Sequence, residues 1–118
     1  MKLLIVEDNQ QMRRLIASIV SDLAEEISEC SDGSQALAAY TEQQPDWVLI
    51  DIRMQEMDGI AATVQIKSAF PEAHIMIVTD YDDARLREAA DVAGACAYVL
   101  KENLSAMRNI INQSGVCA

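Results

Sequence analysis

Short apolar runs alternate with longer amphipathic stretches along the whole chain. The pattern predicts strands at 2–6, 26–30, 47–51, 74–79 and 96–100, with helices near 9–23, 33–43, 58–69, 82–93 and 103–114. In the first helical stretch Met12, Leu15, Ile16, Ile19, Val20 and Leu23 recur at helical spacing. Asp32-Gly33-Ser34 punctuates the start of the second helix, and Pro45 and Pro71 precede the third and fourth strands, where a helix must stop. Five strands alternating with five helices imply an open, mostly parallel α/β sheet, whose right-handed crossovers put helices on both faces. The first, third and fourth strands are nearly continuous apolar runs, as expected of strands covered on both sides. The second (Glu26-Ile27-Ser28-Glu29-Cys30) alternates polar and apolar residues and is expected at an edge. Sheets of this kind bind ligands beyond the carboxyl ends of their strands. No internal repeat, linker or low-complexity stretch interrupts the pattern.

Composition narrows the picture. At 118 residues, 51% of them hydrophobic, the chain has the size of one domain with a single core. Nine Lys and Arg stand against 19 Asp and Glu, a net charge of −10. That balance argues against direct nucleic-acid binding, which needs a basic patch. It fits either a solvated acidic surface or a face for a basic partner. The longest apolar runs are too short for a transmembrane helix, and the N-terminus has no signal-peptide layout. Cys30, Cys96 and Cys117 are odd in number and widely spaced, which points to thiols in a reducing cytoplasm rather than to a disulfide framework or a zinc site.

The candidate chemistry sits at strand ends. Glu7-Asp8 follows the first strand and Asp51 ends the third, so a parallel sheet brings three carboxylates to one edge. Convergent carboxylates repel, and such a cluster commonly holds a hard cation such as Mg2+. Thr79 and Lys101 end the fourth and fifth strands. Each residue alone has a plainer explanation: Asp8 or Asn9 as a helix cap, Asp51 as a turn residue, Thr79 and Tyr98 as strand residues, Lys101 as a solvated lysine. Their coincidence at four strand ends is what carries weight.

Taken in order, Val6-Glu7-Asp8-Asn9, Asp51-Ile52-Arg53-Met54-Gln55-Glu56-Met57-Asp58-Gly59, Ile77-Val78-Thr79 and Tyr98-Val99-Leu100-Lys101 resemble the receiver domain of two-component response regulators over almost the whole chain. The resemblance implies a flavodoxin-like, doubly wound (βα)5 fold with strand order 2-1-3-4-5. It implies a phosphorylation-dependent signalling switch in the cytoplasm, not an enzyme in the ordinary sense. Asp51 would be the phosphoacceptor. Mg2+ would be held by Glu7, Asp8, Asp51 and the Arg53 backbone carbonyl. Lys101 would pair with Asp51 and then with the phosphoryl group. Thr79 and Tyr98 would form the switch, read out on the face of the fourth helix, fifth strand and fifth helix, including Arg85 and Arg87. A histidine kinase or phosphotransfer protein would be the donor, a homodimer is a further expected partner state, and no membrane contact is implied. The stretches 79–83 and 94–101 resemble receivers of NarL/FixJ-type regulators, which precede a helix-turn-helix domain. Residues 1–118 then form a single receiver, or the N-terminal part of a longer transcription regulator that touches DNA only through its output domain.

Three residues depart from the family pattern. Gln55 and Glu102 stand where proline is usual. Asp80 follows the switch hydroxyl, where a small residue is usual, and brings negative charge to the path of a phosphodonor. These departures leave open a degenerate receiver that binds a partner without phosphorylation. Arg53 and Tyr81 are bulky at the two positions that line the approach of water, which predicts a long-lived phosphoform. Other Asp-nucleophile or flavin chemistry fits poorly: Arg53 stands where such phosphatases want a second acid, and Glu7-Asp8-Asn9-Gln10 is no flavin-phosphate loop.

Overall fold

The computed structural model describes residues 1–54 and 57–113. Gln55 and Glu56, with 114–118 and so Cys117, lie outside the described residues. Five strands, β1 (Lys2–Val6), β2 (Glu26–Cys30), β3 (Trp47–Ile50), β4 (Ile75–Thr79) and β5 (Ala97–Leu100), alternate with α1 (Gln10–Val20), α2 (Ala36–Gln43), α3 (Gly59–Ala69), α4 (Ala84–Ala93) and α5 (Ala106–Asn112). All pairings are parallel and the order is β2-β1-β3-β4-β5, as expected.

Period-two alternation divides the strand side chains between two cores. Leu4, Val6, Val48, Ile50, Ile75 and Ile77 face α2, α3 and α4, where they meet Tyr40, Ala62, Ile66 and Ala90. Leu3, Ile5, Leu49, Met76, Val78 and Val99 face the other way and meet Ile16 and Val20 of α1 with Met107 and Ile111 of α5. β2 is an edge with half-exposed side chains, as its alternation predicts. β5 is the other edge, and only Val99 of its four residues is buried.

α1, α3 and α4 start one or two residues later than the periodicity suggests, because short polar side chains cap them from outside. Asn9 accepts the Met12 N–H at 2.8 Å, Asp58 that of Ala61 at 2.8 Å, and Asp83 those of Arg85 and Leu86. The stretches 21–23 and 33–35, predicted as helix, and 101–103, predicted as the junction between the fifth strand and fifth helix, are single 3₁₀ turns. β3 stops at Ile50, so Asp51 begins the following loop; β4 and β5 each begin one residue later than expected. α4 ends on Gly94 at φ 104°, a left-handed conformation that glycine adopts without strain. Among the described residues no helix is long and apolar enough to cross a membrane.

Register then fixes the site. Val6 lies beside Ile50 on one side and Cys30 on the other, so β1 and β3 end level. The Asp51 N–H donates to Val6 O at 3.0 Å and the Glu7 N–H to Cys30 O at 3.1 Å. The two acidic loops therefore leave the sheet side by side.

Candidate functional site at the carboxyl edge of the sheet

Glu7, Asp8 and Asp51 each bring a carboxylate oxygen within 4.8 Å of the others. Glu7 and Asp51 are 1% and 6% exposed, and Asp8 is open to solvent. Lys101, first residue after β5, reaches across with its Nζ 2.8 Å from Glu7 Oε1 and 3.3 Å from Asp51 Oδ2. The expected partner of the ammonium was Asp51, yet Glu7 lies closer. The contact with Glu7 Oε1 is an ion pair without an aligned hydrogen bond, leaving that buried oxygen with unfilled acceptor capacity. The other oxygens are better satisfied: Glu7 Oε2 accepts the Asn9 N–H at 3.2 Å, and Asp51 Oδ1 that of Ile52 at 2.8 Å.

Burial pushes both carboxyls above their ordinary range. For Glu7 the Lys101 contact works against this and the Asp51 charge reinforces it. For Asp51, Lys101 and the Ile52 N–H oppose the shift and Asp8 adds to it. Burial alone would lower Lys101, but its contacts with Glu7 and Asp51 win and hold the ammonium charged.

The carboxylates open into a cleft of about 530 Å³ whose wall also carries Asp80, Met12 and Leu15. Asp80 is solvent-exposed and lies on the rim of the same cleft. Three carboxylates converge beside one ammonium, and this all-oxygen donor set with a buried, under-satisfied Glu7 oxygen suits a hard divalent ion such as Mg2+. Leu15, expected on the buried stripe of α1, is 45% exposed and sits on the cleft rim.

Two glycines hold the loop after Asp51. A Cβ on Gly59 would stand 2.0 Å from Asp51 O, and one on Gly33 would stand 2.1 Å from Met57 O. The Gly59 N–H donates to Ile52 O at 2.8 Å and so closes the loop onto its own start. Gly33 was read only as a helix start; its role as a seat for the loop is a long-range contact invisible to local pattern. Arg13 was also missed. Its guanidinium donates to Glu7 O and to Glu29 Oε1, both at 2.8 Å, clamping the end of β1 to β2.

The remaining predicted residues form a second set beside the cleft. Thr79 is fully buried, and its hydroxyl accepts the Tyr81 N–H at 3.4 Å. The Arg53 guanidinium lies 4.7 Å from the centre of the Tyr81 ring, so the two bulky residues expected to shield the site touch each other. The Tyr98 hydroxyl donates to Tyr81 O at 2.6 Å, and Arg87 lies over the Tyr98 ring at 4.5 Å. Burial raises Tyr98 above the ordinary phenol range, with the Arg87 charge acting against it and nearby carboxylates with it. The Lys101–Glu102 peptide bond is trans.

Comparison with known proteins agrees with this architecture. Residues 3–112 match the family described as response regulator receiver domain. The response regulator protein VraR of Staphylococcus aureus is 36% identical over 103 residues, covering 85% of this chain and 49% of VraR; the chain spans about half the length of the curated relatives it matches. A LuxR-family DNA-binding response regulator from Staphylococcus aureus superposes with a TM-score of 0.87 at 27% identity, over 99% of this chain and 98% of that one. Chemotaxis protein CheY4 of Vibrio cholerae shares the fold, with a TM-score of 0.86 at 21% identity over 95% and 96% of the two chains. The chain belongs to the response regulator receiver domain family.

Proposed function

We propose that this receiver is a phosphorylation-dependent switch whose acceptor is Asp51. The observation that supports it best is the meeting of three carboxylates within 4.8 Å with one nearly buried ammonium 3.3 Å from Asp51. An Asp51 oxygen attacks the phosphorus of the donor, the bond from phosphorus to the donor's leaving group breaks, and an acyl phosphate forms. Lys101 shifts from Asp51 to a phosphoryl oxygen. The Thr79 hydroxyl accepts from Tyr81 N–H and so keeps its own proton to donate to another phosphoryl oxygen. Glu7, Asp8, Asp51 and the Arg53 carbonyl are the residues that would hold Mg2+. When bound, it would neutralise the acids and the incoming dianion. Tyr98 reports the change on the face of α4, β5 and α5.

The physiological donor on this reading is a histidine kinase or phosphotransfer protein in the cytoplasm. The LuxR-family relative is named a DNA-binding response regulator, which favours transcriptional control through an output domain, with DNA contact made there and a homodimer as one route to output. Catalysis is limited to self-phosphorylation from small donors and self-dephosphorylation. Asp80 on the cleft wall favours a second reading, a phosphorylation-independent interaction module, because it opposes an incoming dianion. Intact mass after incubation with acetyl phosphate separates the two. One added phosphoryl group with Mg2+, and none with chelator, is the expected result; no added mass at any time favours the second reading.

A further inference from the structure

We infer that Arg53 and Arg87 are positioning residues that clamp Tyr81 and Tyr98 from opposite ends, so that the Tyr98–Tyr81 hydrogen bond couples the loop after Asp51 to α4. Arg53 leaves that loop two residues past Asp51 and caps the Tyr81 ring at 4.7 Å. Tyr81 passes the link on through its backbone carbonyl, which takes the Tyr98 hydroxyl at 2.6 Å. Arg87, on the first turn of α4, covers the Tyr98 ring at 4.5 Å while its Nε holds Asp82 Oδ1 at 3.1 Å. Asp82 follows Tyr81 directly, so Arg87 grips both the ring and the strand-to-helix loop that presents the carbonyl.

The physical case rests on how each contact restrains the next. A tyrosine with one face against a guanidinium loses ring freedom, because the cation follows the ring quadrupole. With Arg87 on its ring and Tyr81 O on its hydroxyl, Tyr98 is held at both ends. Tyr81 is itself 40% exposed, and Arg53 supplies the contact that steadies it. Thr79 joins the same segment through the Tyr81 N–H at 3.4 Å. Movement of the Asp51 loop therefore reaches Tyr81 through its ring, movement of the Thr79 hydroxyl reaches it through its amide, and both arrive at the one carbonyl that Tyr98 grips. The coupling deepens the proposed switch and rests on it for its purpose, but its test needs neither metal nor phosphodonor.

The experiment is nuclear magnetic resonance of the full chain in chelator, comparing wild type, Arg53→Gln, Arg87→Gln and each in a Tyr98→Phe background. The substituted arginines are on the surface, and the folded spectrum of each variant checks that the fold survives. Arg53→Gln is expected to shift the Tyr98 ring signals and the amides of α4. Arg87→Gln is expected to shift the Tyr81 ring and the amides after Asp51. Removal of the hydroxyl in Tyr98→Phe is expected to abolish both remote effects while leaving each local one. A purely structural arginine would move only its own neighbours. Remote shifts that are absent, or that persist in Tyr98→Phe, overturn the inference. A failure of Asp51 to accept phosphate would leave these spectra unchanged, so the two ideas fail separately.

Discussion

Replacing Asp51 by Asn is expected to stabilise the metal-free protein at neutral pH. The Asp51 carboxylate lies within 4.8 Å of a carboxylate oxygen from both Glu7 and Asp8. At an effective dielectric of about 20, each repulsion at that separation costs about 3.5 kcal/mol, and the ammonium of Lys101 at 3.3 Å offsets about 5 kcal/mol. Asp8 is exposed, so solvent screening reduces its share, while burial of Asp51 to 6% exposure adds a desolvation cost of the same sign as the repulsion. The balance disfavours the wild-type charge by about 1–2 kcal/mol. Asparagine keeps an oxygen for the Ile52 N–H, and Lys101 keeps Glu7. The pH sign follows from the raised carboxyls. A folded state that binds protons more tightly than the unfolded one is favoured below the ordinary carboxylate range, and that stability is lost as pH rises through the raised values of Asp51 and Glu7. The gain from Asp51→Asn should thus be near zero at about pH 4 and full at pH 7. Saturating Mg2+ should shrink or reverse it, because the ion stabilises the wild type by mass action. Urea unfolding of both proteins at the two pH values, in chelator and in Mg2+, reads all of this. An Asn variant less stable than wild type at pH 7 in chelator, or a gain equal at both pH values, would refute the electrostatic argument.

Gly59→Ala should lose about 1–3 kcal/mol in urea unfolding, because its new Cβ meets Asp51 O at 2.0 Å and backbone must move; an unchanged midpoint would mean the loop does not sit on Asp51 as described. Asp80→Ala should raise the rate of labelling by acetyl phosphate several-fold, with the gain shrinking at high salt, since one negative charge leaves the cleft wall; an equal rate at low salt would remove Asp80 as a barrier. Paired replacement of Arg53 and Tyr81 by alanine should shorten the phosphoform lifetime several-fold by opening the approach of water; a lifetime equal to wild type would show that the stacked pair shields nothing.

Strand positions were legible because apolar runs of four or five residues report burial directly, and Val6, Ile50 and Thr79 end their strands where the pattern says they do or within one residue. Helix starts were less legible for a physical reason. Asn9, Asp58 and Asp83 are polar enough to read as helix or loop, and only the N–H groups they accept decide between the two. Glu7-Asp8-Asn9 shows that two explanations can both hold: Asn9 caps α1 while Glu7 and Asp8 remain for the acidic cleft. Residues that act through distant contacts left no local signal. Glu7 meets Lys101 across 94 positions, closer than the Asp51 that the family resemblance implied. Gly33 seats Met57, and Arg13 bridges β1 to β2, by contacts that no window of sequence contains.

The central claim is that Asp51 takes a phosphoryl group in the acidic cleft, and reductive trapping tests it most directly. Borohydride converts an aspartyl phosphate to homoserine, which peptide mass spectrometry locates in the chain. After treatment with Mg2+ and acetyl phosphate, homoserine is predicted at position 51 alone, and at no position when chelator replaces Mg2+. Homoserine at position 8 or 80 instead, or none at any position while the protein remains folded, would contradict the account.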